Sequence, residues 1–254
     1  MRLDYAATYM ISVDMVLTVL LLALAGFFYT MAGFAGGSTF TAILLLIGLS
    51  AGQSALGGLT FNVFSTVSSI IRWRSHISRE FLWFIVGSVP AAFFAGLLVL
   101  PDVLLRLIMG TVIAIGGFSV IVATYPLRVV NVGWLAKVVI GVVIGVVAGF
   151  TGIGGGVYLA PILILAGMAK PKTTAATTTI FILLNSLSGI IARTARLGTL
   201  LFSNPLVLAA IPAILIAAQF GSYVGSRRFT QRNVRRTIGG VLITVGTYIV
   251  VTSF

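Results

Sequence analysis

Apolar residues fill this chain in long runs, and polar residues fall in short clusters between them. At helical pitch the runs predict three ordinary spans at about 53–72, 80–100 and 103–124, and three more at about 172–192, 203–225 and 233–252. A longer apolar region interrupted by glycines precedes each trio, at about 15–50 and about 134–169. In the second of these, five glycines fall within the eight residues from Gly149 to Gly156. Helix is the spanning element that fits, because the runs are too long and too uniformly apolar for barrel strands.

A straight helix from Val16 to Leu49 would measure ~50 Å, against a hydrocarbon core of ~30 Å. The region therefore either crosses once with a long tail or turns back on itself. Charge decides between these. If each broken region crosses once, the 16 basic residues divide eight to eight. If each starts and ends on one side, twelve fall together: Arg72, Arg74, Arg79, Arg128, Lys137, Lys170, Lys172, Arg227, Arg228, Arg232, Arg235 and Arg236. The other side holds Arg2, Arg106, Arg193 and Arg196. Twelve against four is the bias expected of a cytoplasmic face, and it puts both termini outside the cytoplasm. The second arms, about 39–49 and 157–168, suit re-entrant half-helices, although two short tilted crossings give the same parity.

The pattern occurs twice. Ala32-Gly33-Phe34-Ala35-Gly36 matches Ala148-Gly149-Phe150-Thr151-Gly152. Ser68-Ser69-Ile70-Ile71 matches Ser188-Gly189-Ile190-Ile191, Pro90 matches Pro212, and 106–110 matches 236–240. Three full spans per half give the halves opposite orientation. The fold expected is thus an all-α polytopic membrane protein of two inverted-topology repeats, 1–127 and 128–254. Each repeat is a Gly-broken helical hairpin plus three transmembrane helices, and together they form one transmembrane domain. Asp14 interrupts the first apolar run and no small-residue cleavage site follows, so that run reads as part of the fold rather than as a signal peptide.

Composition supports the membrane reading. Hydrophobic residues make up 59% of the chain and charged residues 8%, with mean hydropathy +1.17. The net charge of +12 is spread over the turns, which argues against nucleic acid. There is no cysteine, hence no disulfide, thiol nucleophile or thiolate metal site. The acidic residues Asp4, Asp14, Glu80 and Asp102 lie at or near span ends, and the single histidine, His76, sits in a basic loop. No buried acid relay, acid–base pair or metal-ligand cluster is in prospect, so the chain reads as a transporter rather than an enzyme, with no cofactor and no metal.

Candidate chemistry then concentrates at the glycine breaks. Each precedes a short helix, whose first turn offers unpaired N–H groups and the positive end of a dipole. Glycine lets a ligand approach that backbone closely. An anion is the ligand such a site favours, and the candidates are Gly36, Gly37, Ser38, Thr39, Thr151, Gly152, Gly154, Gly155 and Gly156. Gly141, Gly145 and Gly149, spaced every four residues, read instead as packing glycines. The helix after each break carries a polar stripe. Asn62, Ser65, Ser69 and Arg72 share one face, as do Thr174, Thr178, Asn185 and Ser188. Of these, Asn62, Ser65, Thr178 and Asn185 join the substrate candidates. Arg72, Arg74, Arg193 and Arg196 are candidate pathway mouths, with anchoring of helix ends at lipid headgroups as the alternative for the last two. Asp102 and Arg106, four apart, predict a helix-end ion pair.

Gly152-Ile153-Gly154-Gly155-Gly156 with Pro161-Ile162-Leu163, then Ala175-Ala176-Thr177-Thr178-Thr179, Ser186-Leu187-Ser188-Gly189 and the run 221–227 form an ordered set. The set resembles the TauE/SafE family of sulfite or organosulfonate exporters. The resemblance implies a secondary transporter, an exporter of a sulfur-containing anion such as sulfite, sulfoacetate or thiosulfate, in a prokaryotic plasma membrane. The first half departs from the pattern: Gly36-Gly37-Ser38-Thr39 replaces the fuller glycine cluster, and no proline stands where Pro161 does. Members are often described with eight spans, whereas the charge count favours six full spans and two hairpins. A passive anion channel, a cation-coupled anion importer and a non-transporting scaffold are the competing readings. Expected partners are the small anion and membrane lipid; the oligomeric state, homodimer included, is not written in the sequence.

Overall fold

The computed structural model describes residues 2–31, 33–98, 100–122, 132–198, 201, 204–227 and 231–253. Regular structure among them is helical, with no strand: α1 (Arg2–Met31), α2 (Gly37–Leu46), α3 (Ala51–Trp73), α4 (Leu82–Leu97), α5 (Asp102–Val122), α6 (Trp134–Thr151), α7 (Gly156–Leu165), α8 (Pro171–Leu197), α9 (Pro205–Arg227) and α10 (Gln231–Val251). Among the described residues six helices are long and apolar enough to cross a membrane, and the bent α3 makes a seventh. Five of the six full spans read from the sequence are among these seven, and the first arms of the two broken regions, at Asp14–Met31 and Trp134–Thr151, pass the test as well. The sixth, read at 233–252, coincides with α10, Gln231–Val251. The boundary between 127 and 128, Arg128 and Arg228 lie outside the described residues.

In the first broken region α2 folds back along α1. The Tyr29 hydroxyl meets Ser38 Oγ at 3.2 Å. A Cβ on Gly26 would lie 3.7 Å from the Phe40 ring, and Leu22 shares an apolar cluster with Leu44. Partners that rise on one helix as they fall on the other define an antiparallel hairpin. The ten residues of α2 measure ~15 Å, half the hydrocarbon core. A capping box at Ser50, in which Ser50 and Gln53 exchange side-chain and backbone hydrogen bonds, starts α3. Asp102 Oδ1 accepts from the Ala51 N–H at 3.0 Å and Oδ2 from Arg106 Nε at 2.7 Å. Arg106 also donates to the Leu49 carbonyl. The expected ion pair thus also pins the turn between α2 and α3.

Glycines set the long packing surfaces. On α6, Gly141, Gly145 and Gly149 face the backbone of Phe84, Ser88 and Ala92 on α4, so the two helices run parallel. On α9, Gly221 and Gly225 face the carbonyls of Phe27 and Met31 on α1, again parallel. Gly110 and Gly117 of α5 meet the carbonyls of Gly246 and Gly239 of α10, an antiparallel pair. The α3 and α8 helices are antiparallel as well: Leu59 touches Gly189, and Trp73 clusters with Ala175 and Ala176. Lipid offers no hydrophobic drive between helices, so close backbone approach is what binds them. Exchanging α1–α5 with α6–α10 maps α4·α6 onto α9·α1 and leaves α3·α8 and α5·α10 as pairs.

A bend of 44° divides α3 between residues 67 and 69. It has a local cause: Ser65 and Thr66 hydroxyls both donate to the Asn62 carbonyl, at 3.1 and 2.6 Å, competing with the helical ladder.

The α4–α6 surface yields a direct test. A Cβ on Gly145 would lie 2.7 Å from Ser88 Cα, and backbone cannot swing aside. Gly145→Val is expected to lower stability by about 1–3 kcal/mol or more, the range for overpacking. Gly240→Ala, where a Cβ meets nothing within 4 Å, is expected to be neutral or stabilising. Detergent unfolding midpoints compare them, and equal midpoints for the two variants would contradict the packing described.

Candidate functional site

Both short helices begin at a glycine in the left-handed region, Gly36 (φ 98°) before α2 and Gly155 (φ 79°) before α7. An L side chain rarely adopts that conformation, which is why glycine stands there. Neither N-terminus is capped by a side chain, so first-turn N–H groups are left to other partners. The motif match aligned Gly36 with Gly152, but Gly152 is the C-cap of α6. The structural counterpart of Gly36 is Gly155, three residues on.

The two breaks meet at one side chain. Asn62 is fully buried at the middle of α3. Its Nδ2 donates to the Ile153 carbonyl in the second break, at 3.2 Å. Its amide also packs on the first turn of α2: a Cβ on Gly37 would lie closest to Asn62 Nδ2, 2.6 Å from Oδ1 and 2.7 Å from the Ile153 carbonyl. On the far side a Cβ on Gly154 would lie 2.7 Å from Nδ2 and 2.9 Å from Ser186 Oγ. Asn62 Oδ1 and Ser186 Oγ are buried without a hydrogen-bond partner among the described residues. A helix start without a side-chain cap, a carbonyl, a hydroxyl and an orphan amide oxygen therefore cluster between α2, α3, α8 and the second break.

The other candidates divide. Ser38 and Thr39 sit at the start of α2, hydrogen-bonded to Tyr29, with Thr39 Oγ1 donating at 2.8 Å. Ser65 Oγ donates to Ala35 in the first break at 2.9 Å. Thr151 and Thr178 instead donate to carbonyls of their own helices. Asn185 donates to Ser88 Oγ and the Phe181 carbonyl, toward α4. Gly152 packs against Ala55, whose Cα would lie 2.6 Å from a Cβ there. The first residue of α7, Gly156, is covered by the Ile182 side chain. The two breaks are thus unequal: α2 opens toward an amide, and α7 is roofed by an aliphatic residue.

The sequence model of the family described as sulfite exporter TauE/SafE matches residues 18–249. The chain belongs to this family. It is also 28% identical over 237 residues to the probable membrane transporter protein y4hK of Sinorhizobium fredii (strain NBRC 101917 / NGR234), covering 86% of this chain and 91% of that protein. No solved structure matches the chain. TauE/SafE proteins are membrane transporters and not enzymes.

In this TauE/SafE chain the arginines part company. Arg72 is exposed and lies over the Tyr223 ring at 5.1 Å, and Arg74 is exposed in the 3-10 turn that follows α3. Arg193 is 2% exposed, inside the protein rather than on an open surface. Its Nη2 donates to the Gly149 and Phe150 carbonyls, each at 2.6 Å, which closes the C-terminus of α6. The first break closes with its own backbone instead: Gly33 N–H donates to Thr30 and Phe34 N–H to Tyr29. Arg196 donates to the Leu98 carbonyl, tying α8 to the turn after α4.

Sequence reading missed Ser186, Ile153 and Tyr29 as neighbours of the site. Ser186 becomes visible once α3 and α8 are known to be antiparallel, since that register puts it opposite Asn62.

Arg193→Ala leaves two carbonyls at a buried helix end unpaired. The expected loss is about 1–3 kcal/mol of stability, partly restored by Arg193→Lys. Thermal unfolding in detergent measures it, and an unchanged midpoint for the alanine variant would contradict the capping role.

Proposed function

We propose that this chain is a secondary transporter that exports a small sulfur-containing anion, such as sulfite or an organosulfonate, by alternating access. The observation that carries the reading is the convergence of both glycine breaks on Asn62, at the uncapped N-terminus of α2. An anion leaving water loses hydration. First-turn N–H groups, the helix dipole and the Ser38 hydroxyl replace it without a fixed positive charge, with Thr39 holding Tyr29 beside them. The anion therefore binds and leaves again, as transport requires.

The halves act as inverted repeats. Support comes from the antiparallel pairs α3·α8 and α5·α10, and from the exchange of α4·α6 with α9·α1. The hairpins are re-entrant, since α2 and α7 have ten residues each. The site then lies near the midplane between repeats, where rocking of one against the other opens it to either side. The charge bias places both termini outside the cytoplasm. A monovalent anion leaving a negative interior gains ~2.3 kcal/mol per 100 mV, which drives export without a buried acid.

Proteoliposomes loaded with sulfite or sulfonates, held at set membrane potentials, test this reading. Saturable efflux at no more than ~10³ per second is expected of a carrier, with Asn62→Ala reducing it about tenfold, the factor that ~1.4 kcal/mol represents. Absence of flux for every sulfur anion tried would sink the reading, and ohmic current at far higher rates would make the protein a channel.

A further inference from the structure

The Asn62 amide carries more information than its place between the breaks. Its orientation is fixed, because the Ile153 carbonyl accepts and so must face Nδ2. Both amide atoms lie against the first turn of α2: a Cβ on Gly37 would lie closest to Nδ2, and 2.6 Å from Oδ1. Oδ1 is fully buried and unpartnered among the described residues. A hydroxyl such as Ser186 Oγ can donate or accept, but an amide oxygen only accepts. A buried acceptor facing a helix N-terminus where an anion sits is repulsive unless the ligand brings its own hydrogen.

We infer that the transported ligand is a monoanion carrying an O–H or N–H hydrogen beside its sulfur-bound oxygens, and that Asn62 Oδ1 accepts that hydrogen. The inference rests on the anion site proposed above and narrows its substrate class. The charged oxygens take the N–H groups at the start of α2, and the ligand's hydrogen satisfies the orphan oxygen. A fully deprotonated dianion, or a sulfonate with an alkyl tail alone, leaves Oδ1 unpaired. Sites built to hydrogen-bond a substrate hydrogen reject analogues lacking it far better than apolar pockets reject an added hydroxyl. Two sources supply this chemistry: hydrogen sulfite itself, and hydroxy- or amino-substituted sulfonates.

The test compares 2-hydroxyethanesulfonate with propane-1-sulfonate, which replaces the hydroxyl by a methyl of similar size, in proteoliposomes of the full chain. Sulfite is run beside them at stepped pH. The wild type is expected to move one of the hydrogen-bearing anions at least about tenfold faster than propane-1-sulfonate, and Asn62→Ala to bring that ratio to within about threefold. Sulfite flux that falls in step with hydrogen sulfite as pH rises identifies hydrogen sulfite as the source. Preference for 2-hydroxyethanesulfonate with no sulfite flux identifies the substituted sulfonate. Propane-1-sulfonate moving as fast as either, sulfite flux rising with pH, or a ratio unchanged in Asn62→Ala would overturn the inference. Loss of all three fluxes in the wild type would instead remove the transporter reading on which it rests.

Discussion

The hydrogen bond from Asn62 Nδ2 to the Ile153 carbonyl joins the two halves where each is weakest. Both glycine breaks give up helical hydrogen bonds, and in lipid no water replaces them. Each break must therefore be covered by protein. The α3 helix does most of that covering: Ala55 fills the space beside Gly152, Asn62 lies between Gly37 and Gly154, and Ser65 bonds Ala35. Those contacts leave an amide oxygen and the Ser186 hydroxyl without partners. The polar residues that make the breaks tolerable are thus also the ones proposed to meet the anion.

Around this centre, cohesion comes from glycine. Close backbone contacts on α1·α9, α4·α6 and α5·α10 leave no room for a side chain at the glycines facing them. Charges are used sparingly and locally. Asp102 and Arg106 hold the α2–α3 turn. Lys137 reaches Glu80 at 3.3 Å, and Arg193 closes the end of α6. Each of these groups pairs with a carboxylate or a helix end, and none lies at Asn62. An anion there would be held by dipoles alone.

Much of the fold was legible because spans, caps and glycine spacing are local properties. The bounds of α3, α5, α9 and α10 came out within two residues, while α1 starts at Arg2 rather than about 15 and α8 runs five residues past its expected end; Gly141, Gly145 and Gly149 are the packing stripe their spacing implied. The register between the two breaks was not legible. Two Ala-Gly-Phe-x-Gly motifs matched, yet Gly152 ends α6 while Gly36 starts α2, because composition records that a break exists and not which glycine turns left-handed first. Arg193 resembled a surface charge because sequence shows its charge and not the carbonyls it reaches across to. The inequality of the breaks was equally hidden: Gly37 faces Asn62 and Gly156 faces Ile182, a difference fixed by helices distant in sequence.

The central claim is that one anion site lies where both breaks meet Asn62. An experimental structure of the protein soaked with selenite, whose selenium marks an oxyanion of sulfite shape by anomalous scattering, tests it most directly. The account predicts one peak within hydrogen-bonding reach of the α2 N-terminus and Asn62, absent in Asn62→Ala. A peak elsewhere with none at Asn62, for instance at Arg72 and Arg74, would contradict it.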